Sequence, residues 1–376
     1  MKTKGIWGLA LVVLLSFTSV FAQPFDVVRD DFQVNQTTEG SMTSPRMARS
    51  GNGSFVIVWV QEIDTTLSHI RGRLYDDNGQ EIGDEFRVNS GGESSYKSRP
   101  RVDMNIHGEF AVVWKDNRDD WRKAVYGRAY DGNGNPLSDD FRVSPADSQF
   151  IKGEIAIDGE GYLRIAYVKQ SPNEVSVMLF DCGGSPVEQL AHYPRNFGTY
   201  RFAMIANDYG CFSLIGISYC YNAKCEIFDR LGESISGLFQ IRPYDGSAWV
   251  EPYQVTDIEI RNDNYIYTTS AGIFGGAYSC DPHPERHYNL FNPDGERVNG
   301  FYQSHTTYDP LMGMSISGSV SFGWSDGGAK GAWADNSFSG FRDIWDVSNE
   351  GAGQVRDVAT ECDDTRIFYT WSDDRN

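Results

Sequence analysis

The stretch GSFVIVWVQ at residues 53–61 sets the fold, because it returns as GEFAVVWKD at 108–116 and as TRIFYTWSD at 365–373. Each copy is a short apolar run rich in β-branched and aromatic residues that ends on tryptophan. That is the pattern of a strand buried on both faces. The surroundings are periodic too. Pro45, Trp59, Arg73, Phe86 and Val88 recur 55 residues later as Pro100, Trp114, Arg128, Phe141 and Val143. A second marker, an aromatic residue and then glycine four positions on, reads YDDNG (75–79), YDGNG (130–134), FDCGG (180–184), FDRLG (228–232) and FNPDG (291–295), with a weaker VSNEG at 347–351.

Every unit keeps one internal order. A short strand (PRMARS, PRVDMN, GEIAID) leads through a turn into the FVIVW-type strand; a variable polar loop follows. Next comes an alternating strand such as IRGRLYD or VYGRAYD, whose Asp/Asn-Gly turn supplies the positive φ of a tight hairpin. A last short strand, EFRVN or DFRVS, ends the unit. Four strands in about 50 residues, repeated, predict an all-β chain folded as a β-propeller of four-stranded antiparallel sheets. An immunoglobulin-like sandwich needs about seven strands in roughly 100 residues and would not show this period. The expected blades lie near 44–89, 99–144, 153–195, 201–242, 255–303 and 310–351, with a seventh made from 355–376 and 26–35. In that seven-bladed arrangement the N-terminal strand DDFQVN (30–35) pairs with the C-terminal blade and closes the ring. No third strand for the closing blade is evident, so either that blade is thin or the protein continues beyond Asn376.

The pattern G-x-F-x-V-x-W, R-x-Y-D-x-x-G, F-x-V-N resembles a repeat of large secreted and cell-surface bacterial proteins, strongly over 44–144 and more faintly to about 242. The resemblance implies a propeller and export; such proteins mostly carry no assigned activity. More distantly the chain resembles sialidase-type propellers. Those carry S-x-D-x-G-x-x-W boxes and an arginine triad, and no matching box occurs here.

The N-terminus fits export. Lys2 and Lys4 precede an apolar run from Gly5 to Val20, and Val20-Phe21-Ala22 offers small residues for cleavage before Gln23. Residues 1–22 therefore read as a signal peptide and 23–376 as one propeller domain. The chain is expected to be secreted, extracellular, on the cell surface or periplasmic, with no membrane insertion after cleavage. Its net charge of −19 becomes −21 without the two lysines. A surface this acidic argues against nucleic acid as a partner. Six cysteines, four of them between 182 and 225, allow local disulfides of undetermined pairing in an exported chain.

Candidate site residues fall in three groups. Trp121, Trp249 and Trp333 stand out of register with the repeated tryptophans and are expected in loops on one face. Exposed indoles there would suit a sugar ring. The W-x-D-x-R segments WKDNR (114–118) and WSDDR (371–375), with WSD at 324–326, offer Asp116, Asp326 and Asp373 as carboxylates for glycoside cleavage, or as braces for their own loops. In CDPHPERH (280–287), His283, Glu285 and His287 alternate along the chain. Such a comb can ligate a divalent metal, although the chain otherwise requires no cofactor. The Asp-rich turns lack the spacing of a calcium loop and read as turns. The expected function is a secreted binding module for an extracellular glycan or protein. The alternatives are a polysaccharide-active hydrolase or lyase, and a structural segment of a larger surface protein.

Overall fold

The computed structural model describes residues 6–8, 13–14, 26–27, 32–119, 122–146, 150–170, 173–194, 201–218, 222–241, 250–274, 285–304, 311–315, 318–325, 329–334, 343–347, 355, 357–362 and 366–372. Six blades are complete, each built from four strands consecutive in sequence. The first runs Ser41–Arg49, Phe55–Glu62, Ser68–Tyr75 and Glu81–Arg87, from the channel outward. The inner strands of the next five are Lys97–Met104, Phe150–Ile157, Arg201–Ala206, Val250–Ile260 and Leu311–Met314. Neighbouring inner strands pack on one another, and Val358–Cys362 packs on Ser41–Arg49 to complete the ring.

The expected count of seven blades is corrected to six, and so is the mode of closure. The C-terminal hairpin, Val358–Cys362 and Ile367–Ser372, does not pair with the strand at 30–35. Its free edge takes the short segment Ile6–Gly8, in register Trp7↔Trp371, and Phe32–Gln33 lies outside that segment. The reason is strand position. A fourth strand pairs with a third, and the described residues of 355–376 supply only a first and a second. The third position of this closing sheet is filled from the segment read as signal peptide, so the sheet is a composite and not a repeat unit. Among the described residues, no strand of the six complete blades comes from residues 1–22.

The repeated residues are the packing residues. Trp59, Trp114, Trp324 and Trp371 are at most 3 % exposed, and Tyr167 holds the same position in the third blade. An apolar cluster fills the junction between the first and second blades, with Val56, Val58 and Ile70 facing Phe110, Val112 and Trp114. Comparable clusters fill the other junctions. In three blades the aromatic of the turn marker stacks on the first residue of the second strand: Tyr75 on Phe55 at 4.9 Å, Tyr130 on Phe110 at 4.8 Å and Phe228 on Phe212 at 4.8 Å. Each such pair adds about 1 kcal/mol beyond the area it buries. The marker glycines Gly79, Gly134, Gly184, Gly232 and Gly295 all have φ between 74° and 84°. The preceding Asp or Asn caps the turn; Asp131 Oδ1, for example, accepts from the backbone N–H groups of Asn133 and Asn135. Cys182, Cys211, Cys225 and Cys362 are free thiols, so no disulfide joins the described cysteines; Cys220 and Cys280 lie outside them.

Candidate functional site in the central channel

Strand register places side chains in levels down the channel. Arg46, Arg101, Glu154, Ala203, Asp257, Leu311 and Ala359 pair with Val58, Val113, Ala166, Ile215, Thr269, Gly323 and Thr370, each just before the tryptophan position of its second strand. They form one level, charged in four positions and apolar in three. The inner strand is bulged upstream of each charged position, at Thr43/Arg46, at the Val113/Lys115 step, at Phe150/Lys152 and at Val255/Asp257. It is unbulged at the three apolar positions. A bulge bends a strand and re-aims its side chains.

In the first two blades the bulge carries backbone strain. Ser44 and Arg99 both have φ of 55°, and each precedes a proline. That conformation is costly for a non-glycine residue, by about 1–3 kcal/mol. The prolines themselves are tolerated because an inner edge strand needs no N–H on its channel side.

The charged level is a network. Arg101 Nε donates to Glu154 Oε2 at 2.9 Å, and Lys152 Nζ pairs with the other carboxylate oxygen. Lys152 also donates to Phe202 O at 2.6 Å. Arg46 and Arg101 fold back alike, Nη1 of each donating to the carbonyl of the preceding proline, at 2.6 and 3.0 Å. The aspartates act between blades. Asp257 Oδ2 accepts the Met312 N–H at 2.8 Å, Asp103 Oδ2 accepts the Ile157 N–H at 2.8 Å, and Asp357 Oδ2 accepts the Ser44 N–H at 3.3 Å. Each carboxylate thus ties its inner strand to the next one.

Two residues further along come Ala48, Asp103, Ala156, Ile205, Glu259, Gly313 and Glu361. Asp103, Glu259 and Glu361 line both halves of the channel and form its waist. The half above, on the side of the second-to-third-strand loops, has a volume of about 630 Å³. The half below, at the hairpin turns, has about 640 Å³ and is lined by Arg49, Asn52, Asp208 and Arg261.

Burial sets the protonation of these groups. It pushes Asp103 up to about 7 and Asp257 up to about 6, against the backbone hydrogen bonds they accept. It raises Glu259 and Glu361 well above the ordinary carboxyl range, with neighbouring acids adding to the effect. Burial brings Lys152 down to about 8, and burial beside Arg101 brings Arg46 down to about 10. Glu154 alone stays low, because Arg101 and Lys152 outweigh the burial that opposes them. Among the described residues, no three His, Cys, Asp or Glu side chains are disposed to hold a metal ion.

The residues singled out from sequence lie elsewhere. Asp116 is fully buried and accepts from Ser95 Oγ at 2.8 Å, Trp114 Nε1 at 3.1 Å, Arg118 N at 2.9 Å, and Arg118 Nε and Nη2 at 2.8 and 2.6 Å. Asp326 and Asp373 fall outside the described residues, as do Trp121, Trp249 and His283. Trp333 is described, and its expected loop is corrected: it sits in the third strand of the sixth blade, Ala329–Ala334, opposite Ser321 and Asp343. Its half-buried indole packs on the cluster that joins that blade to the closing sheet. Glu285 and His287 lie in the third strand of the fifth blade, Glu285–Phe291; their side chains are outside the described set. The channel residues were missed in sequence. The one signal for them in the sequence is Pro-Arg at 45–46 and again at 100–101, where the arginine recurs with the marker proline.

No protein-family model matches the chain, and no curated protein matches it in sequence. Its likeness is to solved propellers. The structure of the Dos1 propeller aligns with a TM-score of 0.52 at 11 % identity, covering 89 % of this chain and 80 % of that one. Hydrazine synthase of Kuenenia stuttgartiensis aligns with a TM-score of 0.53 at 13 % identity, covering 81 % and 80 %. At such identities the likeness establishes the fold, a β-propeller.

Proposed function

We propose that the chain is a secreted binding module that takes its ligand, an extracellular glycan, at the loop-side mouth of the central channel. The observation that carries this reading is the bulged, charged level of Arg46, Arg101, Glu154 and Asp257 above the acidic waist. Four separate strands depart from regular pairing to bring polar groups together in one cavity. A cavity of about 630 Å³ is within the range of small-molecule sites. Export is supported by the signal-peptide pattern at 1–22 and by the resemblance to secreted bacterial repeats. Binding without turnover is supported by Asp116, whose oxygens are engaged by its own loop. The test is retention of the purified protein on a panel of immobilised polysaccharides, with the same supernatants assayed for released sugar. Retention without release is expected; release would replace the binding reading with a hydrolase or lyase.

A further inference from the structure

The upper channel sets four cations among six carboxyl groups, Asp103, Glu154, Asp257, Glu259, Asp357 and Glu361. Arg46, Arg99, Arg101 and Lys152 all line it, from the inner strands of three consecutive blades. Their donors are not equally engaged. Arg101 gives Nε to Glu154 and Nη1 to Pro100, and Lys152 is held by Glu154 and Phe202. Glu154 is therefore shared by two cations and leaves one positive charge over. Arg46 differs. Among the described residues its guanidinium donates only to Pro45 O, and no carboxylate lies within ion-pair distance. A guanidinium carries five N–H donors in a planar fork, and Arg46 lines the upper channel with one of them committed to Pro45 O. The carboxylates Asp257 and Asp357 lie within electrostatic reach of Arg46 and accept the N–H groups of Met312 and Ser44, but neither forms an ion pair with it.

Holding Arg46 there is costly. It sits beside Arg101, and the strand that presents it passes through a left-handed Ser44 before Pro45. The same geometry is repeated one blade on, at Arg99, Pro100 and Arg101. Strain of this kind persists only where the surrounding fold imposes it, and it concentrates at ligand sites.

We propose that the upper channel is a site for a sugar-sized molecule bearing one oxyanion group, a carboxylate or a sulfate ester, received by the Arg46 guanidinium with Arg101 and Lys152 behind it. The fork of Arg46 matches two oxygens of either group. Below it the waist carboxyls Asp103, Glu259 and Glu361 present oxygens that can accept from sugar hydroxyls. The inference rests on the channel-mouth binding reading and names its ligand class.

Isothermal calorimetry on the purified full chain tests it, with glucuronate, glucose 6-sulfate and glucose as probes at low salt. Glucuronate, glucose 6-sulfate or both should bind, and glucose should not; which of the two acids binds identifies the group. Arg46→Met should weaken the acid about ten- to hundred-fold, the loss of hydrogen bonds to a charged group. Arg46→Lys should recover part of that loss, and Arg230→Met, at an exposed turn-side arginine, should change nothing. Unchanged circular dichroism and urea midpoint establish that each variant is folded. Equal binding of glucose, full acid binding by Arg46→Met, or no binding of either acid overturns the proposal. Retention of a neutral polysaccharide that Arg46→Met leaves intact sinks the anion site while the binding module stands. Failure of every polysaccharide and both acids removes both.

Discussion

Asp116→Ala separates a loop brace from a reacting group. The carboxylate accepts five hydrogen bonds within its own blade, three of them from Arg118, and is wholly shielded from water. Truncation strands several donors. Ser95 keeps Gly92 O as an alternative acceptor, and Arg118 keeps Asp140 at 2.9 Å and the Tyr126 ring at 4.1 Å. The Trp114 indole N–H keeps nothing of comparable strength. Lys97, fully buried alongside, loses the carboxylate that opposes the effect of burial on its ammonium. Removing one member of a buried ion pair costs about 3–5 kcal/mol. With Arg118 partly rescued by Asp140, the lower end, about 3 kcal/mol, is expected. Urea unfolding followed by tryptophan fluorescence reads this as a lower midpoint at unchanged slope. Asp346→Ala provides the contrast, since Asp346 pairs with Lys330 on the surface with its side chain 72 % exposed. That pair contributes at most about 1 kcal/mol. A loss for Asp116→Ala no larger than for Asp346→Ala would refute the brace. An Asp116→Asn protein of normal stability that loses a sugar-releasing activity would restore Asp116 as a catalytic group.

Three further outcomes follow from packing and burial. Trp333→Ala should lower stability by about 2 kcal/mol, because the indole packs between the sixth blade and the closing sheet; an unchanged urea midpoint would take the side chain off that junction. Gly184→Ala should cost well over 1 kcal/mol, since φ is +81° and a Cβ would lie 2.3 Å from Phe141. Gly237→Ala, with φ of +65° and open space around it, should cost less, and equal losses would show that the Phe141 contact is not tight. Burial raises Asp103 from 3.8 to about 7, so the folded chain keeps a proton that the unfolded chain releases. The stability this brings is complete below the unfolded value near 3.8 and is lost as pH rises through about 7. The fall is up to about 4 kcal/mol, reduced by water in the channel. Asp103→Asn should flatten it, and parallel urea midpoints for both proteins across that range would disprove the assignment.

What the sequence made legible is what the blades share. Trp59, Trp114 and the Asp-Gly turns recur because every blade must pack on its neighbour and turn back on itself, and periodicity detects shared requirements. The channel level reads Arg, Arg, Glu, Ala, Asp, Leu, Ala around the ring, so a repeat search averages it away. The bulges that aim those residues depend on φ at Ser44 and Arg99, which residue type does not announce. The blade count failed for a related reason. Residues outside the repeat fill the third position of the closing sheet, and no period predicts them. Trp333 breaks register with Trp324, which predicts a loop, yet it lies one strand further out, where the indole serves the junction.

Where a ligand sits can be read directly from backbone hydrogen exchange, compared with and without a polysaccharide that the protein retains. Binding at the channel mouth predicts slower exchange in the inner strands Ser41–Arg49, Lys97–Met104 and Phe150–Ile157, and in the loops that lead into them. Protection confined to the outermost strands, or to the hairpin turns around Tyr209 and Leu231 on the opposite face, would place the ligand elsewhere and contradict the channel site.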